Sequence, residues 1–189
     1  MFAPRLEILP PAQRRLWDEL RPTPKRFVLY GGTALALRLA HRSSEAFDFF
    51  SNDSFAPDLL CKAIPYLHEA EMSQFEANRL TAIVDRSGPV KVSFFGGLAL
   101  NRIQDPDVAP DNGIQVASLL DVAATKLATI QQRAQVRDYE DIEAIIAAGI
   151  NLSDVVLVRE RETNQSCQRT PENEREAHDE QGKIDTPST

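Results

Sequence analysis

The sequence predicts an α/β (α+β) fold, in which a mixed sheet flanked by helices is followed by a helical C-terminal part. The order of elements indicates this class, because a strand, a helix and a strand precede a hairpin and two helices. The 189 residues, 42% of them hydrophobic, suffice for one core and a small appended helical unit. We divide the chain into a packing segment (1–26), an α/β core (27–112), a helical part (113–158) and a disordered tail (159–189).

Prolines and glycines mark the bounds of the N-terminal elements. Prolines interrupt the first segment, so that only "AQRRLWDEL" can form a helix there, with Leu16, Trp17 and Leu20 on one side. The strand "RFVLY" then stops at the pair Gly31-Gly32, and "TALALRLAH" follows as a buried helix. The sequence therefore predicts a strand, a tight turn and a helix.

The next strand, "EAFDFFS", alternates between two faces. Positions 46, 48 and 50 share one face, and positions 45, 47 and 49 share the other. This alternation displays Asp48 beside Ala46.

The remaining elements follow from periodicity and turns. "PDLLCKAIPYLHEA" has a helical pattern, and "RLTAIVDRS" and "PVKVSFFGG" read as two strands that meet at a Ser-Gly-Pro turn. "VASLLDVAATKLATIQQRA" keeps apolar residues at helical spacing, and "VRDYEDIEAIIAAG" is a second helix that ends at Gly149. Residues 159–189 contain few large apolar side chains, so burial cannot compensate their ordering entropy.

Composition excludes several classes of protein. A formal charge of -7 provides no basic field, so contact with RNA or DNA requires a local patch. The cysteines, Cys61 and Cys167, are too far apart to indicate a disulfide framework or a metal-ligand spacing. No apolar run approaches the roughly 18 residues of a membrane span, and the N-terminus lacks the order of a signal peptide. We therefore expect a cytoplasmic protein without membrane contact.

Two features carry the expected chemistry of the first half. The backbone N–H groups that follow Gly31-Gly32 can face a phosphate, although a glycine pair at a strand end is often only a turn. A carboxylate on the following strand, Asp48, can return to the same sheet edge and bind a cation on that phosphate. Together they predict a phosphate site better than either does alone.

The two C-terminal helices carry a second set of charges. Lys126, Arg133 and Arg137 form one stripe, which is usually a solvated face. Asp138 lies on the inward row of its helix, where a charge requires a partner such as Lys126 or Arg133. The pair is either a structural ion pair or part of a functional site. Asp141 is expected to pair with Arg137, four positions earlier.

These residues resemble a known family. Tyr30, Gly31 and Gly32, followed by Asp48 and Phe49, are similar to the AbiEii/AbiGii abortive-infection toxins of the polymerase-β-like nucleotidyltransferase superfamily. The segments "VKVSFFGG", "ASLLDVAATKL" and "RAQVRDYEDI" also resemble that family, so that the likeness covers about residues 25–150. It implies a nucleotidyltransferase-like mixed sheet.

The resemblance also implies a function. Such a toxin of a type IV toxin–antitoxin system would transfer a nucleotide monophosphate from a nucleoside triphosphate (NTP) to an RNA acceptor such as a tRNA end, with Mg²⁺ and a cognate antitoxin. Asp48, Lys126 and Asp138 would be catalytic, with Asp48 holding the metal, Lys126 steadying the triphosphate and Asp138 acting as base or orienting Lys126. The nucleotide-binding residues would be Gly31, Gly32, Thr33, Arg42 and Arg133. His41-Arg42 can instead compensate the dipole of the preceding helix.

The sequence departs from the family pattern at the metal site. Ala46 stands where the first acid is expected, and the third, expected near Lys91, is Ser93 at best. Glu45 points to the opposite face from Asp48, and a lone carboxylate is a poor Mg²⁺ trap. Activity is therefore expected to be impaired. The alternatives are a catalytically inactive module that binds nucleotide, RNA or protein on this scaffold, or a truncated, decayed homologue.

Overall fold

A seven-stranded mixed sheet forms the centre of the fold. The computed structural model describes residues 2–133, 135–153 and 155, and the tail predicted at 159–189 lies outside them. The strands are β1 (Val28–Tyr30), β2 (Ala46–Phe50), β3 (Glu71–Glu76), β4 (Arg79–Asp85), β5 (Pro89–Phe95), β6 (Asp107–Val108) and β7 (Gln115–Val116). Their order in the sheet is β3-β4-β5-β2-β1-β7-β6.

Five helices accompany the sheet. They are α1 (Pro11–Glu19), α2 (Gly31–Leu39), α3 (Pro57–Ala63), α4 (Leu119–Gln132) and α5 (Val136–Ala147), with short 3-10 turns at Leu6–Ile8 and Pro65–Leu67. The mixed sheet with flanking helices confirms the predicted α/β class. Among the described residues, no helix has both the length and the apolar character that crossing a bilayer requires.

The N-terminal helix packs as its apolar stripe predicts. Leu16, Trp17 and Leu20 are fully buried. The indole N–H of Trp17 donates to the Asp111 carboxylate over 2.6 Å, which fixes α1 against the loop before β7. The predicted packing segment is therefore part of the same core.

The centre of the sheet places β2 between β1 and β5. β1 pairs with β2 in antiparallel orientation, and Tyr30 lies opposite Asp48. β2 pairs with β5 in parallel orientation, with Ala46 beside Lys91 and Asp48 beside Ser93. The alternation predicted for β2 is confirmed, since Phe47 is buried in the core while Ala46 and Asp48 are half-buried on the other face.

Three strands were not predicted from the sequence. β3 is an edge strand, and its mostly polar residues lack the apolar alternation that marks a half-buried strand. β6 and β7 contain two residues each and are defined by pairing rather than by composition. Because β7 pairs with β1, the sheet continues past residue 112, where we divided core from helical part; that division stays a prediction.

The helix expected from "PDLLCKAIPYLHEA" is shorter than predicted. α3 stops at Ala63, before Pro65. A proline disfavours helical geometry in the residue before it, and Ile64 is accordingly extended. The hairpin of β4 and β5 agrees with its prediction, as does the end of α5 near Gly149, whose φ is +86°.

Candidate functional site

The turn between β1 and α2 brings glycine backbone against a carboxylate. β1 ends at Tyr30 and α2 begins at once with Gly31, whose φ is +71°. A Cβ on Gly31 would lie 3.0 Å from the Oδ2 atom of Asp48. Glycine is therefore favoured twice, by the backbone conformation and by the close approach of Asp48. Asp48 lies beside the start of α2, where backbone N–H groups lack helical partners.

The second glycine of the turn makes room for the loop after α2. A Cβ on Gly32 would lie 3.0 Å from Arg42 Nη2 and 2.9 Å from Ser44 Oγ. The Arg42 guanidinium thus lies against the turn, as its predicted role in nucleotide binding requires. That role stays a prediction.

Asp48 is a half-buried carboxylate among cations. Burial raises the pKa of Asp48, and the shift is opposed by Lys91, by a hydrogen bond from Ser93, and by Lys126 and Arg133. Those opposing groups come from β5, from α4 and from the residue that follows α4. Two of the residues predicted at the site, Lys126 and Arg133, therefore act electrostatically on Asp48.

Lys126 joins α4 to two carboxylates of α5. Its Nζ lies 3.1 Å from Asp138 Oδ1 and 2.5 Å from Asp141 Oδ2. Of the two partners predicted for Asp138, Lys126 and Arg133, Lys126 is the one that it contacts. Asp138 also accepts from the backbone N–H of Gln135 over 3.2 Å and so closes the first turn of α5. Asp138 thus both orients Lys126 and caps its own helix.

Asp141 is the centre of the ion-pair network, a position that its sequence context did not predict. Its expected pairing with Arg137 is wrong, because the side chain points inward and is fully buried. Arg42 donates to it through Nε and Nη2 over 2.7 and 2.8 Å, and His41 Nε2 lies 2.7 Å away. Burial alone would raise the pKa of Asp141, but hydrogen bonds from His41, Arg42 and Lys126 hold the pKa well below its ordinary value.

The signal for Asp141 was present in the sequence. Asp138 and Asp141 are three residues apart and so share a helix face, which places a second carboxylate on the inward row, where it requires a cationic partner. The sequence does not show which cation is the partner, because that depends on the contact between α2 and α5, which brings together residues about 100 positions apart.

Thr33 occupies a structural position. Its hydroxyl is buried, donates to the carbonyl of Ala46 over 2.5 Å and accepts from Gln13 Nε2 over 3.2 Å. These bonds tie α2 to β2 and α1, so a contact of Thr33 with nucleotide is left to its backbone. The nucleotide-binding role predicted for Thr33 stays a prediction, and it concerns only the backbone of that residue.

The donor set does not fit a site for two Mg²⁺ ions. Ala46 and Ser93, which flank Asp48 on the same face, supply no carboxylate, and Lys91 brings an ammonium group there. Within residues 2–133, 135–153 and 155, no group of three His, Cys, Asp or Glu side chains could hold a metal ion. Asp48 remains as a single carboxylate ligand.

The sequence matches a family model and a relative among known proteins. The family model described as "Nucleotidyl transferase AbiEii toxin, Type IV TA system" matches residues 15–187. An uncharacterized protein of Aquifex aeolicus (strain VF5), aq_aa25, is 32% identical over 121 residues, which are 61% of this chain and 55% of that protein.

A solved structure has a similar fold. The crystal structure of a "putative nucleotidyltransferase" from H. pylori superposes with a TM-score of 0.50 at 20% identity, covering 68% of this chain and 62% of that chain. At this identity the likeness concerns the fold alone. The chain spans little more than half the length of the Aquifex relative.

Proposed function

Because the chain belongs to the AbiEii family of nucleotidyl transferase toxins of type IV toxin–antitoxin systems, we propose that it binds an NTP at the Gly31-Gly32 turn. A hydroxyl of an RNA acceptor, such as the end of a tRNA, then attacks the α-phosphorus, so that the nucleotide monophosphate is transferred to the RNA and pyrophosphate is released. A cognate antitoxin and a cytoplasmic location are part of the same proposal.

One observation carries the proposal. Asp48 of β2 lies against Gly31, and Lys126 of α4 acts electrostatically on Asp48. Lys126 also shares Asp141 with Arg42, whose guanidinium lies against Gly32. Unpaired N–H groups at the start of α2 suit phosphate oxygens. Lys126, held by Asp138, supplies a positive charge that can be shared with a phosphate. Such a convergence is what a triphosphate site requires.

Ala46 is proposed to limit transfer. In nucleotidyl transfer the chemistry depends on positioning and on neutralising the charge of the phosphates, to which bound metal ions contribute. Here Asp48 has no carboxylate beside it on its face of β2, because Ala46 stands there. We therefore expect NTP binding with slow transfer.

Incorporation of labelled nucleotide into RNA tests this proposal. The natural chain, Ala46→Asp and the uncharged control Ala46→Ser are compared with each of the four NTPs and a tRNA pool. We expect Ala46→Asp to raise the rate by about tenfold or more, as restored charge stabilisation would, and Ala46→Ser to leave it unchanged. Equal, robust rates in all three proteins would contradict the role of Ala46.

A second candidate function is favoured by the same departures. With Ala46 and Ser93 at two expected carboxylate positions, the scaffold suits a catalytically inactive module that binds nucleotide, RNA or a partner protein. Saturable NTP binding, with no product from the natural chain or from Ala46→Asp, would favour this candidate over the first. A decayed homologue would instead show poor folding and no stable partner.

A further inference from the structure

Lys91 lies on the face of the sheet that carries Asp48. It lies beside Ala46 across the parallel pair of β2 and β5, and Ser93 lies beside Asp48 in the same register. Residues in register on neighbouring parallel strands project to the same face. The face on which the resemblance expects carboxylates for a metal therefore carries one carboxylate and one ammonium group.

Lys91 and Arg133 are two cations of this site without a carboxylate partner among the described residues. The charge of Lys126, by contrast, is already partly compensated, because its Nζ lies within ion-pair distance of Asp138 and Asp141. Lys91 is exposed and, in the part of the chain that the structure describes, no carboxylate lies within ion-pair distance of its ammonium group. The same holds for Arg133 within those residues. The positive charge around Asp48 is thus not fully compensated, so the site is suited to an anionic ligand.

We propose that this site binds the triphosphate of its nucleotide directly through Lys91, without a divalent cation. The inference rests on the proposed function, which supplies the ligand class, and goes beyond it by naming what replaces the metal. An ammonium group is a compact point charge with three donors and binds phosphate oxygens well. On the face of β2 and β5 it would also repel a divalent cation, since Asp48 alone cannot neutralise both.

The test is equilibrium binding of ATP, GTP, CTP and UTP to the full chain, measured by calorimetry in EDTA and again in excess Mg²⁺. We expect the preferred nucleotide to bind in EDTA with an affinity within about threefold of that in Mg²⁺, because the protein makes the phosphate contacts itself. The matching nucleoside, which lacks phosphates, should bind much more weakly.

Variants of Lys91 isolate its contribution. Lys91→Gln should weaken binding in EDTA by about tenfold, the loss expected for one charge-assisted hydrogen bond. Lys91→Arg keeps the charge and should retain most of the affinity. Lys62→Gln, on the exposed side of α3, removes the same charge outside the site and should leave binding unchanged. Far-UV circular dichroism verifies that each variant folds. Because Lys91 is exposed, its substitution is not expected to disturb the core.

The outcomes separate the two proposals. Binding that requires Mg²⁺, or binding that Lys91→Gln does not weaken, would overturn the direct contact while leaving the proposed function in place. Absence of NTP binding in both buffers would overturn the proposed function itself, and the inference with it. Binding in EDTA that falls in Lys91→Gln and persists in Lys91→Arg would support the inference.

Discussion

Replacing Asp141 by Asn tests the centre of the ion-pair network. The change keeps the shape of the side chain and removes the charge that Arg42, Lys126 and His41 share in a fully buried position. Removing one partner of a buried ion pair leaves the other charge uncompensated, at a cost of about 3–5 kcal/mol. We expect Asp141→Asn to lower the free energy of unfolding by that amount, because two cations lose their shared partner.

The measurement is urea unfolding of both proteins at pH 7, with stability extrapolated to water. Glu140→Gln is the matched control, since Glu140 is the neighbouring acid, is exposed, and lies 3.8 Å from the same Arg42. An exposed pair of this kind contributes at most about 1 kcal/mol. A loss in Asp141→Asn no larger than that in Glu140→Gln would refute the reasoning.

The pH dependence of Asp141→Asn has a definite sign. The folded-state pKa of Asp141 lies below its unfolded value, so its stabilisation is present above the unfolded pKa. It is lost as pH falls through the folded pKa. The difference in stability between the two proteins should therefore be full at pH 7 and narrow below about pH 4.

The remaining predictions concern the glycine turn and its surroundings. Asp48→Asn should stabilise the protein at neutral pH, because the raised pKa of Asp48 makes its ionised form unfavourable on folding; in urea titrations the gain should vanish below the unfolded pKa of about 4. Gly31→Ala should cost about 1–3 kcal/mol in thermal or urea unfolding, and more than Gly149→Ala, which also has positive φ but open space around its Cβ. Equal costs would contradict the close contact with Asp48. Thr33→Val should lower stability by about 1–3 kcal/mol in the same assay, since it removes the hydrogen bonds of a buried hydroxyl and leaves the buried Gln13 amide without its partner; a neutral effect would argue against these bonds.

The sequence predicts the parts of the site that depend on local pattern. The strand, glycine pair and helix at residues 28–39 follow from a short apolar run, two glycines and strong helix formers. The side on which Asp48 lies follows from the period of two in β2. These features need no knowledge of distant contacts, because each is set by neighbouring residues.

The parts that the sequence does not predict depend on contacts between distant elements. Asp141 could be assigned to a surface pair with Arg137 because both lie on one helix, four positions apart. Two of its actual partners, His41 and Arg42, lie about 100 residues earlier, in the loop that follows α2, and the third, Lys126, lies on α4. In the same way, β7 exists because it pairs with β1, and two residues carry no pattern of their own.

Opposite pKa shifts distinguish Asp141, which pairs with the Lys126 ammonium group, from Asp48, on which that ammonium group acts only through its charge. Asp141 is fully buried, has donors on both oxygens and has a lowered pKa, so it has little capacity for a further ligand. Asp48 is partly exposed, and burial raises its pKa although Lys91, Lys126 and Arg133 all oppose the shift. A carboxylate that remains unfavourable among cations is retained at a cost in stability, which is typical of a functional position. The chemistry is therefore expected on the face of β2 and β5, while α4 and α5 hold Lys126 in position beside it.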